Sequence, residues 1–349
     1  GIRDRQARLV GSEMCIRDSP RNAAAGALRQ LDSRITAQRP LGLLAFDVLA
    51  VAGADFQEDR EVMKALGDWG FKVPERVELL EDVEGILDYH QRYFRDRDDL
   101  DYEIDGIVIK LNDLKARAEM GSTSRHPRWA LAFKFEPRKE VTRIQQIAFS
   151  VGRTGVVTPV ALLLPVEVGG VTVSRASLHN REEVQRKDVR EGDLVRIQRA
   201  GDVIPQVLGR IEEAGRVRGP EFRMPEGCPA CGASLFRRGP YTVCPNQFGC
   251  PAQLKGRIRH FGSRGALDIE GLGEETATLL VEKKLVVELA DLFDLTVHEL
   301  RDLPGFAEKS ARNLVQSIEV SKEVPFHRVL YALGIRYVGE TVAQKLASA

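Results

Sequence analysis

The stretch that decides the fold is EIDGIVIK, residues 103–110, an acidic segment that enters a run of β-branched residues and ends on a lysine. β-branched residues favour strands, and successive strand side chains point to opposite faces of a sheet. This alternation places Ile107 and Ile109 on one face, which we expect to contact the core. It places Gly106 and Lys110 on the other face, where a small neighbour leaves room beside the ammonium group.

A second strand repeats this arrangement in WALAFKF, residues 129–135. Leu131, Phe133 and Phe135 form its apolar face, and Lys134 lies on a face otherwise made of alanines. Two strands that each present one lysine beside glycine or alanine predict a pocket for a phosphorylated ligand.

Asp105 is the acidic residue nearest to these lysines in the sequence. Its spacing from Lys110 is odd, so a regular strand would place the two side chains on opposite faces. Gly106 can interrupt the alternation, and Asp105 is therefore compatible with a site shared with the lysines. Upstream, we predict a buried strand at 41–51 and helices at 58–69 and from an Asp82 N-cap to about Arg95.

Composition indicates a soluble chain of two or three domains. The chain has 349 residues, of which 43% are hydrophobic and 29% charged, as in ordinary globular proteins. The formal net charge is zero, but the region 138–250 is net positive, which makes it the best candidate for contact with nucleic acid. No apolar run is long enough to span a membrane, and we expect no membrane association.

Residues 138–222 read as a small closed barrel, because short β-rich runs alternate with glycine and proline turns. The predicted strands are 144–151, 156–163, 166–173, 193–199 and 206–212. Arg153 lies in a turn flanked by Gly152 and Gly155, and a basic groove on such a barrel would suit a nucleic-acid backbone.

Residues 223–255 contain four of the five cysteines, with the spacing C-x2-C-x12-C-x5-C. Four thiolates at this spacing suit a tetrahedral Zn²⁺ ion and leave it no open position, so we predict a structural rather than a catalytic metal. The predicted ligands are Cys228, Cys231, Cys244 and Cys250.

Residues 256–349 read as helices joined by glycine-containing hairpins, with helices predicted at 274–283, at 307–320 and from about 340. Glycine permits tight turns whose backbone amides can meet a phosphate at the start of the next helix. Such contacts bind the backbone of DNA without reading its sequence. The candidate DNA-binding residues are Arg153, Gly271, Gly273, Gly305, Gly334 and Gly339.

EIDGIVIK and the following AFKFE resemble motifs IV and V of nucleotidyltransferases that form a covalent lysyl-AMP, and are most similar to the bacterial NAD-dependent DNA ligases. PRNAAAGALRQ (20–30), VGRTGVVTPVA (151–161), the cysteine cluster and the glycine hairpins follow in that family's order. The resemblance implies a multidomain α/β + β + α chain. Its predicted parts are a nucleotidyltransferase (adenylation) domain at 20–137, an OB-fold barrel at 138–222, a four-cysteine zinc finger at 223–255 and a helix-hairpin-helix array at 256–349.

The resemblance also implies a function. Enzymes of this family seal nicks between a 3′-hydroxyl and a 5′-phosphate in duplex DNA, through lysyl-AMP and DNA-adenylate, with NAD and Mg²⁺ or Mn²⁺, in replication and repair. We therefore expect nicked DNA as the partner, a monomer, and a bacterial cytoplasmic, nucleoid-associated location. The matched catalytic positions are Asp105, Lys110, Lys134, Arg97, Arg21 and Arg29, of which Lys110 and Lys134 would also bind the nucleotide.

Some features depart from the family. The chain has no Lys-x-Asp-Gly tetrad, which carries the family's nucleophile. Residues 1–19 do not resemble the family, so we expect a non-native leader in which Cys15 has no role. We interpret the chain as an internal fragment without the nucleophile region and the C-terminal BRCT domain, and expect that it cannot form its own adenylate.

Two alternatives remain open from the sequence. One is a non-catalytic DNA-binding clamp with a relic nucleotidyltransferase domain, which the retained Asp105, Lys110 and Lys134 disfavour. The other is an ATP-dependent ligase or RNA-capping relative, which the cysteine cluster and hairpins after the barrel disfavour.

Overall fold

The computed structural model of the protein describes residues 20–30, 32–100, 102, 104–123, 126–168, 171–200 and 204–349. The predicted leader with Cys15, Glu103 of the opening stretch and the side chain of Arg21 lie outside the described residues. The described residues form two compact units. Those up to Glu140, with Pro165–Val173 and Gln198–Pro205, make the first, and the rest make the second.

The described part of the first unit contains five helices, and the four after the first have an acidic residue as N-cap. They are α1 (Pro20–Leu28), α2 (Ser33–Ala37), α3 (Asp59–Asp68), α4 (Val83–Asp96) and α5 (Leu114–Met120). The Asp82 carboxylate accepts a hydrogen bond from the Gly85 amide at 2.8 Å, and Asp113 caps α5 in the same way through the Ala116 amide at 2.9 Å. Such caps satisfy amides that have no partner within the helix. The helices predicted at 58–69 and from Asp82 are confirmed.

The two lysine strands pair with each other. They are β1 (Gly106–Lys110) and β2 (Ala130–Lys134), and they run antiparallel. Gly106 lies opposite Lys134 and Lys110 lies opposite Ala130. Because directly opposed residues share a face, both lysines lie on one face of this ladder, as the alternation predicted.

The other face of the ladder packs against α4. The His90 ring stacks on Phe133 with ring centres 3.9 Å apart, and Phe94 contacts Phe135 edge-on. Phe135 is buried, but Leu131 is 64% exposed. The predicted apolar face is therefore covered only in part by the described residues.

The buried strand predicted at 41–51 is wrong. The segment has no regular structure, and Leu43 and Leu49 are 74% and 101% exposed. Its Ala45 amide bonds the Lys72 carbonyl at 2.8 Å, but the described residues provide no ladder along the run. An apolar run becomes a strand only where neighbours satisfy its backbone groups and cover its faces.

The barrel predicted for residues 138–222 is confirmed. Its strands are β3 (Lys139–Val151), β4 (Val156–Val168), β5 (Val171–Ser177), β6 (Leu194–Ala200) and β7 (Ile204–Arg210). They follow the order β3-β6-β7-β5-β4, and β4 pairs back onto β3, which closes the sheet. The strand bounds differ from the prediction. β4 continues through Pro165 to Val168 instead of ending at 163, so the strand predicted at 166–173 is divided between the end of β4 and the start of β5. Helix α6 (Arg181–Lys187), capped by Asn180, lies between β5 and β6 in the chain.

A short hairpin extends the barrel sheet. It consists of β8 (Phe236–Arg238) and β9 (Tyr241–Val243). β9 pairs with the start of β4, where Val243 lies opposite Val156. The cysteine region is therefore continuous with the barrel through a backbone ladder.

The remaining helices within the described residues pack in three consecutive pairs. They are α7 (Pro251–Phe261), α8 (Glu274–Glu282), α9 (Val297–Arg301), α10 (Glu308–Val320), α11 (Phe326–Ala332) and α12 (Glu340–Ser348), with 3₁₀ turns at Ala290–Asp294 and Ser321–Glu323. α7 packs on α8, α9 on α10 and α11 on α12. Ile258, Leu280 and Leu300 are fully buried in their shared core. No described helix is long and apolar enough to cross a membrane.

Candidate functional site

The structure brings Asp105 and Lys134 together. The Lys134 ammonium donates to both Asp105 carboxylate oxygens, at 2.7 and 2.6 Å. Asp105 precedes β1, and its carbonyl accepts the Phe135 amide at 2.9 Å, so the ladder continues past its regular end. The chain bends at Asp105, immediately before the regular register begins at Gly106, and the acidic side chain reaches Lys134. The Lys134 and Asp105 side chains are 55% and 42% exposed, which makes this an open ion pair.

Lys110 lies at the other end of the same face, in different surroundings. Its ammonium donates to the Phe46 carbonyl at 2.8 Å and lies 3.7 Å from the Asp59 carboxylate, with only 19% of the side chain exposed. Four residue steps along a strand separate the two lysine positions by roughly 13 Å between α-carbons. Long lysine side chains can converge from that distance on one phosphorylated ligand.

Asp59 and Arg117 are residues of this site that the sequence analysis missed. Arg117 is buried on α5, and one of its terminal nitrogens lies 2.8 Å from the Asp59 carboxylate. In the sequence, Asp59 is only an acidic residue at the start of a predicted helix. No local pattern indicated that its carboxylate lies beside Lys110, because the contact joins segments far apart in the chain.

The predicted catalytic arginines are placed less specifically. Arg97 follows α4, and its guanidinium lies over the Phe94 ring, 4.7 Å from the ring centre. Arg29 follows α1 and is exposed. Arg21 lies in the first turn of α1, and its side chain is outside the described set. Their assembly with the lysine face stays a prediction.

The four predicted zinc ligands do converge. The sulfur atoms of Cys228, Cys231, Cys244 and Cys250 all lie within 4.8 Å of one another. The Cys231–Cys244 and Cys228–Cys250 separations are 3.6 and 4.0 Å. These are too long for disulfides. Sulfur ligands about 2.3 Å from a tetrahedral zinc ion lie roughly 3.8 Å apart, so the donor set fits Zn²⁺.

The surroundings of three of the thiols shift their pKa values in different directions. Burial opposes ionisation of Cys231, but hydrogen bonds from the Ala233 amide and neighbouring groups hold its pKa at about 7. Burial raises the pKa of Cys244 to about 12. It also raises the pKa of Cys250, although the first amides of α7 oppose that rise. A divalent ion would favour all four thiolates together, because thiolates are the metal-binding form.

The barrel and the cysteine cluster meet at Gly155. Its φ angle is +81°, and a Cβ there would lie 2.6 Å from the Cys244 carbonyl oxygen. The Cys244 amide also donates to the Gly155 carbonyl at 2.8 Å. Glycine is therefore needed both for the backbone conformation and for the close approach of the two segments.

We expect Gly155→Ala to lower the free energy of unfolding by about 2–5 kcal/mol, because a left-handed backbone and an overpacked contact both carry a cost. Gly239→Ala is the matched control, since Gly239 also has a positive φ angle but a Cβ there would meet no other atom within 4 Å. Urea unfolding of both variants measures the difference. Equal losses would contradict the role of the Cys244 contact.

The hairpin glycines occupy two kinds of position. Gly271, Gly305 and Gly334 have φ angles of +85°, +82° and +64° in the turns. Gly273 and Gly339 are the N-caps of α8 and α12, and no side chain caps either helix. Backbone amides at such helix starts are suited to bind phosphate.

Arg153 borders a basic cleft within the second unit. The cleft has a volume of about 550 Å³, and its lining includes Arg153, Lys255 and Arg259. Lys255 and Arg259 each have an acidic partner at 2.7 Å, Glu282 and Glu274, and the two acidic side chains are largely exposed. Exposed pairs of this kind are weak, so a phosphate could replace the carboxylates. A Cβ on Gly334 would overlap the Arg153 guanidinium, which places that hairpin beside the arginine.

Three known families match the chain. The NAD-dependent DNA ligase adenylation domain matches residues 9–138, and the NAD-dependent DNA ligase OB-fold domain matches 141–218. The SAM-like helix-hairpin-helix tandem matches 263–319. The first match begins inside the segment predicted as a leader. The two ligase-specific matches together cover more than half of the chain.

Curated relatives agree with these matches. The DNA ligase of Haloarcula marismortui is 49% identical over 329 residues, 94% of this chain and 47% of that protein. The DNA ligase of Alkalilimnicola ehrlichii is 49% identical over 331 residues, which cover 94% of this chain and 49% of that ligase. The DNA ligase of Salinibacter ruber is 47% identical over 332 residues, which cover 94% of this chain and 48% of that ligase. The chain spans about half the length of the curated relatives it matches. With its adenylation and barrel domains, its cysteine cluster and its hairpin helices in this order, the chain belongs to the NAD-dependent DNA ligase family.

Proposed function

We propose that the protein to which this chain belongs seals nicks between a 3′-hydroxyl and a 5′-phosphate in duplex DNA, using NAD. The observation that carries the proposal is the shared face on which Lys110 and Lys134 lie, within a domain that matches the ligase adenylation family. Phosphoryl transfer requires little covalent chemistry from the protein. Catalysis by such a face is mainly positioning of the phosphate and neutralisation of its charge.

The two lysines would share the phosphate in different ways. Lys110 would offer an ammonium group that its surroundings already hold in place. Lys134 would exchange the Asp105 carboxylate for the α-phosphate, since its ion pair is open to solvent. Asp105 would then be free to provide one oxygen ligand to Mg²⁺ or Mn²⁺, which commonly bind through one or two carboxylates and the substrate phosphates. Arg97, Arg21 and Arg29 would support the adenylate and the nick phosphate.

The second unit would hold the nicked duplex. Arg153 and the hairpin glycines Gly271, Gly273, Gly305, Gly334 and Gly339 would contact the DNA backbone. Contacts of this kind position the duplex without reading bases, which suits an enzyme that must act on any sequence. The cysteine cluster would bind a structural zinc ion that fixes the start of α7.

Residues 1–349 alone are proposed not to form lysyl-AMP, because they contain no Lys-x-Asp-Gly tetrad. Incubation with NAD labelled in its adenylate half tests this directly. Stable labelling of the purified chain would contradict the proposal. The last chemical step does not use that nucleophile, so the chain should still join a nick whose 5′-phosphate already carries AMP.

Two assays test the function. In the first, the chain is mixed with a pre-adenylated nicked duplex and Mg²⁺, and sealing is followed on a denaturing gel. In the second, the N-terminal part of a related ligase is fused ahead of Pro20, and sealing of an ordinary nick is compared with NAD and with ATP. We expect sealing in the first assay, and in the second with NAD alone. Failure of both, with intact binding of nicked duplex, would favour the DNA clamp, and sealing with ATP would contradict NAD dependence.

Arg153→Gln tests the proposed DNA-binding surface. We expect weaker binding of nicked duplex whatever its sequence. The slope of log K against the logarithm of the salt concentration should decrease in magnitude by about 1, as for loss of one phosphate contact. Arg186→Gln is the matched control, because Arg186 is an exposed arginine on α6 that pairs with Glu183. Fluorescence anisotropy at several salt concentrations measures both. Equal slopes for the two variants would remove Arg153 from the DNA-binding surface.

A further inference from the structure

Lys110 contacts a largely buried ionic network, whereas Lys134 makes an exposed ion pair in the described part of the chain. The Asp59 carboxylate lies 3.7 Å from the Lys110 ammonium and 2.8 Å from the Arg117 guanidinium. The exposed fractions of the side chains are 14% for Asp59, 6% for Arg117 and 19% for Lys110. One carboxylate thus lies between two cations, in surroundings that largely exclude water.

Arg117 is held in this position by three different contacts. Its guanidinium donates to the Leu111 carbonyl, in the residue that follows Lys110. It also lies over the Trp129 ring, 4.3 Å from the ring centre, in the residue that precedes β2. The third contact is the Asp59 carboxylate. Arg117 therefore joins the end of β1 to the start of β2 at the position where Lys110 projects.

Asp59 is fixed by its backbone as well. Its amide donates to the Asn112 carbonyl at 2.8 Å, and the Gln57 carbonyl accepts the Leu114 amide at 2.9 Å. These bonds attach the start of α3 to the segment immediately after Lys110. These backbone hydrogen bonds consequently hold the Asp59 carboxylate beside Lys110.

The charges explain what this arrangement does. Arg117 is a buried cation, and a buried cation needs a paired anion. Without the Asp59 charge, two cations would share one largely buried place, and repulsion would displace the more mobile Lys110. With it, the network keeps one excess positive charge, which suits an incoming phosphate. One Asp59 oxygen and one Arg117 nitrogen have no hydrogen-bond partner within the described structure, so the contact acts mainly through charge.

We infer that Asp59 and Arg117 are positioning residues that hold the Lys110 ammonium at the phosphate-binding face. This inference rests on the proposed ligase function. It gives the two lysines distinct roles. Among the described residues the Lys134 ammonium pairs with the exposed Asp105 carboxylate and can move to the ligand, whereas Lys110 is held in place by residues that do not touch the ligand.

The test is a double-mutant cycle on the sealing of a pre-adenylated nick by the full chain. We compare wild type, Asp59→Asn, Lys110→Ala and the double variant in single-turnover reactions at saturating DNA, followed for hours. Asp68→Asn is the matched control, because Asp68 is an exposed carboxylate at the other end of α3. Asp59→Glu retains the charge and serves as the conservative variant if Asp59→Asn folds poorly.

We expect Asp59→Asn to slow sealing about 10- to 100-fold, the scale of a misplaced catalytic group, with DNA affinity unchanged. In the Lys110→Ala background the same substitution should change the rate by less than about twofold, because Asp59 acts through Lys110. Asp59→Glu should restore part of the rate, and Asp68→Asn should have no effect.

Three outcomes contradict the inference. Equal losses from Asp59→Asn in both backgrounds would show a general structural role. An unchanged sealing rate in Asp59→Asn would remove Asp59 from the site. Absence of sealing both by the wild-type chain and by the fusion with the N-terminal part of a related ligase would overturn the proposed function, and the inference with it. The first two outcomes leave the proposed function standing, so the two failures are distinguishable.

Discussion

Lys110→Ala and Lys134→Ala are each expected to lower the rate of nick sealing by about 10²- to 10³-fold, the usual cost of removing one group that stabilises developing charge in a transition state. Both lysines lie on one face of the β1–β2 ladder. The loss should fall on the chemical rate and not on DNA binding, because the lysines would contact the reacting phosphate. Single-turnover sealing of a pre-adenylated nick, with DNA affinity measured separately, provides the check.

The two variants should differ in one respect. Lys134→Ala releases Asp105 from its ion pair, and the freed carboxylate should be a better metal ligand. We therefore expect Lys134→Ala to need less Mg²⁺ for half-maximal rate than wild type, whereas Lys110→Ala should not. Lys139→Ala is a suitable control, since Lys139 is a half-exposed lysine at the start of β3 with an acidic partner at 3.9 Å. Wild-type rates for either catalytic variant would remove that lysine from the site.

The lysine face could be predicted because its information is local. A strand alternates with a period of two, so EIDGIVIK and WALAFKF each place one lysine opposite a row of apolar residues. The pairing of Asp105 with Lys134 depends in addition on the bend at Asp105, an irregularity that a regular strand would not have. The sequence allows that irregularity without requiring it.

The network behind Lys110 could not be predicted from the sequence. Asp59 and Arg117 are far apart in the chain, and no local pattern distinguishes either residue. Asp59 is an acidic residue in the first turn of α3, and Arg117 is one of several polar residues in the short helix α5. Only the attachment of α3 to the segment after Lys110 brings them together. The strand at 41–51 was predicted wrongly for a different reason. Its apolar pattern is clear, but a strand also needs pairing partners, which no local pattern supplies.

The barrel shows where a local signal misleads. Pro165 favours a strand that ends before it, since proline cannot donate a ladder hydrogen bond. β4 nevertheless runs from Val156 to Val168. Proline is tolerated in a strand where its nitrogen needs no partner, and the sequence does not reveal which side of a strand carries the ladder. The closure of β4 onto β3 is likewise a property of the whole sheet.

Removal of zinc is expected to have the largest effect on stability. Binding free energies of structural zinc are about 10–16 kcal/mol in small zinc-binding peptides, and there they are largely folding free energy. The four sulfur atoms lie within 4.8 Å of one another. The cysteine region contributes only the short strands β8 and β9 to the regular structure. We therefore expect Cys250→Ser, or a strong chelator, to unfold the segment between Cys228 and Cys250.

The effect should extend beyond the cysteine segment, because Cys250 connects two other elements. It is the N-cap residue of α7, and the β8–β9 hairpin is paired with the start of β4. Loss of the metal should therefore free the first turn of α7, which immediately precedes Lys255 in the lining of the basic cleft. We expect a lower unfolding temperature, loss of one bound zinc per chain, and weaker binding of nicked duplex. Zinc analysis, calorimetry and anisotropy measure these in turn.

Cys15→Ser is the control, since it makes the same chemical change at a cysteine that is not one of the four predicted ligands, and it should retain zinc, stability and DNA binding. A Cys250→Ser variant that keeps the wild-type unfolding temperature without metal would refute the structural role of the cluster. A variant that loses stability but binds nicked duplex normally would separate zinc from the DNA-binding surface. The joint loss of zinc, stability and DNA binding is the expected result, because the residue proposed to ligate the metal is also the N-cap of the helix that borders the cleft.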